Sequence, residues 1–289
     1  MKYKHNISGH LMILPCYVIY LFFVLLPVLM TVWFSFRDYD LFTQSNFVGI
    51  DNFTRLFTDP LFLVSVKNTF IYALGTIIPQ ILLGLLLAVL LNTNIPGRGF
   101  FRLAFYIPYL VSMVSVAMLW LWIYDPASGV LNRFVKFIGL PPQRWLFDMK
   151  LALSSLMVMG VWKMSGYNMI IYLAGLQQIP PQLYEAADID GISGFRKFLH
   201  ITIPLIQPTT FFLVVINTIQ SFAVFEQVNI MTDGGPSNAT TTIVHQMYER
   251  GFVDFQMGYA SSMGVFLLLI TILLTVFNFK YGREGQDLS

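Results

Sequence analysis

Charge is what this sequence has least of. Only 11% of its 289 residues are charged, 56% are hydrophobic, and the formal net charge is +2. A soluble globule of this length carries roughly a quarter of its residues as Asp, Glu, Lys or Arg, so with a mean hydropathy of +0.67 this chain has a membrane as its main solvent. The basic residues are dispersed through short segments and form no continuous stripe, which sets nucleic-acid binding aside. A single cysteine, Cys16, excludes an internal disulfide and a cysteine-built metal site. Histidines are few and scattered at positions 5, 10, 200 and 245. There is no His-Glu-x-x-His, and no apolar stretch holds a pair of carboxylates, so the reactive constellation of a membrane-embedded enzyme is missing. The Gly-x-x-x-x-Gly-Lys-Ser/Thr phosphate loop is missing too.

Long apolar runs are what the sequence does have. Backbone groups in lipid must bond within their own segment, which takes roughly 20 mostly apolar residues as a helix. About six such stretches are expected, near Leu11–Phe36, Asn68–Leu91, Leu103–Tyr124, Leu151–Ala174, Leu205–Phe225 and Met257–Phe279. The expected fold is therefore an all-α polytopic membrane protein. The first run is longer than a signal-peptide core and lacks a small-x-small cleavage site, so it is read as a retained span. A lipoprotein signal at Leu14-Pro15-Cys16 is rejected, because Pro15 replaces the small residue and the apolar run continues through it. Prolines 15, 27, 79 and 108 are expected to kink the spans. Turn-rich segments such as Asn94–Gly99, Pro141-Pro142 and Asp233–Pro236 leave no room for a soluble domain.

The expected organisation is an N-terminal segment 1–67 with the first helix and an external loop, a five-helix core 68–280 that includes a loop at 176–204, and a short cytoplasmic tail 281–289. With the N-terminus inside, the inner segments hold Lys2, Lys4, Arg98, Arg102, Arg196, Lys197, Lys280 and Arg283. The outer ones hold Arg37, Arg55, Lys67, Arg133, Lys136, Arg144, Lys150 and Arg250. The two sets tie by number, and the shorter inner segments have the higher charge density.

The loop between the fourth and fifth spans reads as two short helices joined at a bend. Pro181 suits a first helical turn, and Glu185, Asp188 and Asp190 follow. Gly191 can take the left-handed conformation that ends a helix. Ser193 offers a side-chain oxygen to cap the second helix, which carries Arg196, Lys197 and His200, and Pro204 closes it. Leu183, Ala186, Ala187 and Ile189 supply an apolar face suited to a groove on another protein. An amphipathic linker lying on the membrane is the plainer alternative for such a loop.

The residues themselves decide between these. Glu185-Ala186-Ala187, Asp190-Gly191 and Ile201-Thr202-Ile203-Pro204 resemble the EAA signature of ATP-binding-cassette importer permeases, with Ile203 replacing a leucine. Phe225–Pro236, Thr240-Thr241-Thr242, Gly258–Ser261 and Asn46–Phe53 resemble the subgroup that imports oligosaccharides, maltose and glycerol phosphates. In that subgroup position 226 is commonly aspartate, where this chain has Glu226. The resemblance implies a type I importer permease fold in the bacterial cytoplasmic membrane. It implies a coupling helix formed by Glu185, Ala186, Ala187, Asp190, Gly191 and Pro204, seated in a partner ATPase whose closure drives alternating access. The implied partners are two cytoplasmic ATPase subunits, a second homologous permease and an extracellular or periplasmic solute-binding protein. ATP and magnesium would sit on the ATPases, with no cofactor on this chain and no enzymatic activity of its own.

Polar groups inside a span are expensive unless they face a partner or a water-filled path. Sugars stack on aromatic faces and bond amides and hydroxyls at their rims. Tyr167, Asn168 and Tyr172 in the fourth span, and Asn217, Gln220 and Glu226 in or at the end of the fifth, are the expected substrate path, against the alternative that they bond neighbouring helices. Lys163 would pair with an acid such as Glu226 or reach an aqueous cavity. Trp33, Trp120, Trp122 and Trp145 lie near span ends and read as interfacial anchors. A self-sufficient secondary transporter or channel would instead show an internal repeat or an ionisable relay in the membrane.

Overall fold

The computed structural model describes residues 7–93 and 95–282. Lys2, Lys4, Asn94, Arg283 and the tail beyond 282 therefore lie outside the described residues. In chain order the helices are α1 (Ile7–Tyr20), α2 (Leu26–Ser35), α3 (Asp51–Thr58), α4 (Pro60–Leu91), α5 (Arg98–Leu110), α6 (Met113–Ile123) and α7 (Val130–Phe137). They continue with α8 (Ala152–Leu176), α9 (Pro181–Ile189), α10 (Gly194–Lys197), α11 (Ile203–Phe222), α12 (Glu226–Met231), α13 (Ile243–Tyr248) and α14 (Met257–Gly282). One departure from an all-helical chain is a short antiparallel pair, β1 (Arg37–Asp38) with β2 (Asn46–Phe47).

Among the described residues, four stretches are long and apolar enough to cross a membrane: Met12–Ser35, Pro60–Leu91, Gly194–Phe222 and Met257–Lys280. The expected third span is not one rod. Its two halves, α5 and α6, meet at a bend of 101°. Val111 leaves the helix with ψ 141° and Ser112 with ψ 146°, and the Ser112 side chain accepts the amide of Ser115 at 3.3 Å to start α6. A serine able to restart a helix in mid-run gives the chain a local alternative to continuing straight. The expected fourth span, α8, is a helix of 25 residues, roughly 37 Å long at 1.5 Å per residue. It is less apolar than the other long helices and buried along most of its surface, with Ser154, Val158 and Trp162 left on one exposed stripe.

Proline explains a recurrent detail. Residues Leu21–Leu25 and Phe198–Thr202 each form a π-turn, and each is followed two residues later by a proline, Pro27 and Pro204. A helical proline lacks an amide and collides with the carbonyl four residues back. Widening the preceding turn, so that Leu26 bonds Leu21 and Ile203 bonds Phe198, accommodates the ring without breaking the helix. Pro204 therefore does not close the second helix of the loop, as expected from sequence. The helix runs through it, from Gly194 to Phe222.

The chain divides into two compact units, Met1–Leu63 with Gln246–Leu269 and Val64–His245 with Ile270–Ser289. In the first, Asn52 Nδ2 donates to the carbonyls of Ser35 and Arg37 at 3.0 and 2.9 Å, fixing the chain where α2 ends. Asp59 Oδ1 caps α4 through the Leu61 amide at 2.9 Å, while its Oδ2 accepts the Tyr259 hydroxyl at 2.9 Å. Positions 12–30 of the first span are exposed throughout.

The second unit has two apolar clusters. One joins Tyr72, Val116, Tyr124, Leu156, Met159 and Val228, with Trp120 and Trp145 packed against it. These two tryptophans are thus packed against a core. Trp145 Nε1 donates at 3.0 Å to Asn132 Oδ1, a buried amide that also bonds Pro126 and Gln143. Trp33 and Trp122 remain exposed, as an anchor must be. The other cluster gathers Ile81, Ala88, Met169, Tyr172, Leu176, Ile206 and Leu213.

Candidate functional site

Two places in the second unit are candidate sites: the helical elbow at α9–α10 and a polar cavity beside α8.

In the elbow, Pro181 occupies the first turn of α9 as expected. Gly191 has φ +69°, its amide bonds Asp188 at 3.1 Å, and the Ile192 amide reaches back to Ala187 at 2.9 Å. This paired closure around a left-handed glycine is the Schellman motif, which satisfies the last carbonyls of α9 and fixes the turn angle. Asp190 is the residue where α9 stops. Ser193 stands at the start of α10 with extended backbone, yet its side chain makes no capping bond, contrary to expectation. What fastens the two arms is an ion pair between Asp188 and Lys197. At the elbow's base, the Tyr184 and Thr202 hydroxyls are bonded at 2.9 Å.

The apolar face differs from the expected one. Ala187 is buried inward, beside Tyr184, whereas Leu183, Ile189, Ile192, Phe195 and Leu199 are exposed. Ile189 at 88% and Phe195 at 71% exposure leave apolar side chains in the open on either side of Gly191. Glu185 and Ala186 are exposed on the same helix.

The cavity, of about 360 Å³, is walled by α4, α8 and the end of α11, and by Met113 and Glu226 at the starts of α6 and α12. Tyr72, Thr76, Gln80, Lys163, Gln220 and Glu226 supply its polar lining. Thr76 and Ser221 hydroxyls bond at 3.1 Å, and Gln227 Nε2 donates to the Tyr72 hydroxyl at 2.6 Å. Hydroxyls and amides held in this way offer acceptors and donors to a hydroxylated solute.

The expected path residues separate into two groups. Gln220 and Glu226 line the cavity. Asn168 and Asn217 are fully buried between helices: Asn217 Nδ2 donates to Asn168 Oδ1 at 3.0 Å, and Asn168 Nδ2 donates to the Gln80 carbonyl at 3.1 Å. Tyr172 donates to Thr210 Oγ1 at 3.1 Å, and Tyr167 stacks on Tyr109 with ring centroids 4.7 Å apart. Lys163 lines the cavity, one of its two expected surroundings, while its ammonium bonds backbone carbonyls at the α5–α6 break and not the Glu226 carboxylate. Sequence reasoning missed Tyr72, Thr76 and Gln80, whose signal was hydroxyl and amide groups within the otherwise apolar α4. It also missed the glycines of α8. A Cβ on Gly160 would lie 2.5 Å from the Tyr72 hydroxyl, so that glycine brings α4 against the cavity.

Several apolar spans, a polar cavity beside α8 and an elbow with exposed apolar side chains suit a transport permease subunit, and the comparisons with known proteins give that class. The chain belongs to the family of binding-protein-dependent transport system inner membrane components, which it matches over residues 80–281. It is 36% identical to the sn-glycerol-3-phosphate transport system permease protein UgpA of Agrobacterium fabrum, over 96% of this chain and 96% of that protein. It is 34% identical to the trehalose/maltose transport system permease protein MalF of Thermococcus litoralis, over 99% of this chain and 97% of that one. Among solved structures, a chain of a bacterial alginate ABC transporter, in complex with an alginate pentasaccharide-bound periplasmic protein, matches with a TM-score of 0.85. The two are 26% identical, and the match covers 96% of this chain and 94% of that one.

Proposed function

We propose that this chain is a permease subunit of a bacterial ATP-driven importer that carries an oligosaccharide or related polyol across the cytoplasmic membrane. The observation that carries this reading is the elbow. A Schellman turn at Gly191 and the Asp188–Lys197 pair hold Ile189 and Phe195 exposed in a fixed geometry. Exposed, rigidly held apolar side chains on a short helix are what a groove on another protein recognises. The partner that fits this elbow is a cytoplasmic ATPase, which would hold ATP and magnesium, because this sequence has no phosphate loop. Glu185, Ala186, Asp190 and Gly191 form the surface of the elbow; Ala187 is buried beneath it, and Pro204 stands exposed on the helix that leaves it.

The carbohydrate assignment is supported by the hydroxyl and amide lining of the cavity and by relatives named for glycerol phosphate and trehalose/maltose. Gln220 and Glu226 would meet the solute directly, while Asn168, Asn217, Tyr167 and Tyr172 would shape the path from behind. A second homologous permease would cover surface that this chain leaves open, the first span above all, and an external solute-binding protein would deliver the solute.

The test is ATP-driven uptake of a saccharide panel by the complex reconstituted in vesicles. Replacing residues 185–191 by a flexible Gly/Ser linker should abolish ATPase binding and uptake together. Uptake without any ATPase, or undiminished ATPase binding after the replacement, would sink the reading.

A further inference from the structure

An ammonium group inside a membrane protein requires a reason. Lys163 stands mid-way along α8, is 7% exposed, and donates to the carbonyls of Pro108 at 3.0 Å, Tyr109 at 3.2 Å and Val111 at 2.6 Å. These are the carbonyls opened where α5 ends and the chain turns by 101° into α6. A helix end presents unpaired carbonyls with a partial negative charge, and in a low-dielectric surrounding they need a donor. Lys163 has three N–H groups, and each finds a carbonyl. Its charge is therefore spent on the protein's own backbone.

Two neighbours on α8 act on the same stretch of α5. Gly166 lets the helices touch, for a Cβ there would lie 1.8 Å from the Phe105 carbonyl oxygen. Tyr167 stacks on Tyr109, which in turn stacks on Tyr106 at 5.7 Å. The end of α5 is thus fastened to α8 by backbone contact, ring stacking and a cation. At the other end, α8 runs within a few residues into Pro181 and the elbow. Beyond the break, Met113 at the start of α6 lines the cavity, as Lys163 itself does.

We infer that Lys163 is a positioning residue: it ties the α5–α6 break to α8, so that the end of α5 moves with α8 and the elbow as one lever while the chain flexes between Val111 and Met113. This deepens the transport reading and rests on it. The lever would carry displacement of the elbow to the cavity wall. Without the ammonium, three carbonyls would lose their donor and the break would no longer follow α8.

The experiment uses the complete complex with Cys16→Ser, Leu103→Cys and Val158→Cys, spin-labelled at the two introduced cysteines, which lie on exposed positions of α5 and α8. Pulsed-EPR distances are read without nucleotide and in an ATP-trapped state, with no sugar present. The expected result is one narrow distribution, unchanged between the two states. A second pair, Leu103→Cys with Leu119→Cys, should shift between them, because it straddles the break. Lys163→Met should broaden the 103–158 distribution and lower uptake by about tenfold, within the range of ordinary coupling energies, while the ATPase still binds. Lys163→Arg should restore both. A 103–158 distance that changes between states in the parent complex, or one left narrow in Lys163→Met, overturns the inference. Should Lys163→Met fail to assemble, Lys163→Gln, which keeps donors without the charge and has the shorter reach, is measured in its place, and a 103–158 distribution as narrow as the parent's there overturns the inference. If the distances behave as expected but no saccharide is taken up, the carbohydrate reading fails and the lever stands.

Discussion

Gly166 and Phe105 meet so closely that a Cβ on the glycine would sit 1.8 Å from the Phe105 carbonyl oxygen. The obstacle is backbone, which cannot rotate aside as a side chain can. Gly166→Ala should force α5 and α8 apart and cost about 1–3 kcal/mol or more, the usual range for overpacking. Thermal unfolding of the detergent-solubilised complex checks this, and Gly99→Ala, where a Cβ meets nothing within 4 Å, is the control.

Asn168 and Asn217 are bonded to each other away from the cavity. Asn168→Leu should leave the Asn217 amide without its acceptor and the Gln80 carbonyl without its donor, costing about 0.6–2 kcal/mol in a membrane setting. The double variant Asn168→Leu/Asn217→Leu should be less unstable than the sum of the singles, and a double-mutant cycle on unfolding measures the difference. Additive losses would show that the pair does not act together.

The turn at Gly191 rests on φ +69° with open space around it. Gly191→Ala should therefore cost about 1 kcal/mol from backbone conformation alone, with Gly191→Asn milder, since asparagine tolerates this region. Gly191→Pro should be worse, because proline cannot adopt that φ and removes the amide that bonds Asp188. The reading is the ratio of solute imported to ATP hydrolysed, expected to fall in the order Asn, Ala, Pro while the protein remains inserted.

The Asp188–Lys197 pair spans the elbow with Asp188 open to solvent. Pairs of this kind contribute less than about 1 kcal/mol, so Asp188→Asn should hardly change stability. It should nonetheless loosen the angle between α9 and α10. ATPase affinity measured at low and high salt should converge with that of the variant as salt screens the pair.

Asn132 is a hub outside the spans, with its amide donating to Pro126 and Gln143 and its oxygen accepting from the Gln143 amide and Trp145 Nε1. Asn132→Leu should cost about 1–3 kcal/mol, since several part-buried groups lose partners at once. Trp145 fluorescence should shift as its indole N–H is released.

Residence in the membrane, five of the six helical stretches and the two-armed loop with its left-handed glycine were all legible in the sequence, because each depends on local properties: apolar run length, the position of Pro181 and the freedom of Gly191. The third span was misread as one rod because Val111 and Ser112 sit inside an unbroken apolar run, and composition is blind to a bend. Pro204 was misread as a stop because the π-turn that absorbs it is formed by the residues before it.

The sequence by itself determined that this chain is a polytopic membrane protein and which residues build its elbow. Only the tertiary structure decided what each polar residue of the spans does. Asn168, Asn217, Gln220 and Lys163 look alike as polar interruptions of apolar helices, yet the first two bond each other, Gln220 lines a cavity, and Lys163 at that cavity's wall holds a helix end. Most of α8 is buried, and its polar residues are not gathered on one exposed face, so its pattern does not tell them apart. The partner of each residue lies on another helix, about 50 or more positions away in the sequence. Local pattern holds no information about such neighbours, and the packing of α4, α5, α8 and α11 supplies it.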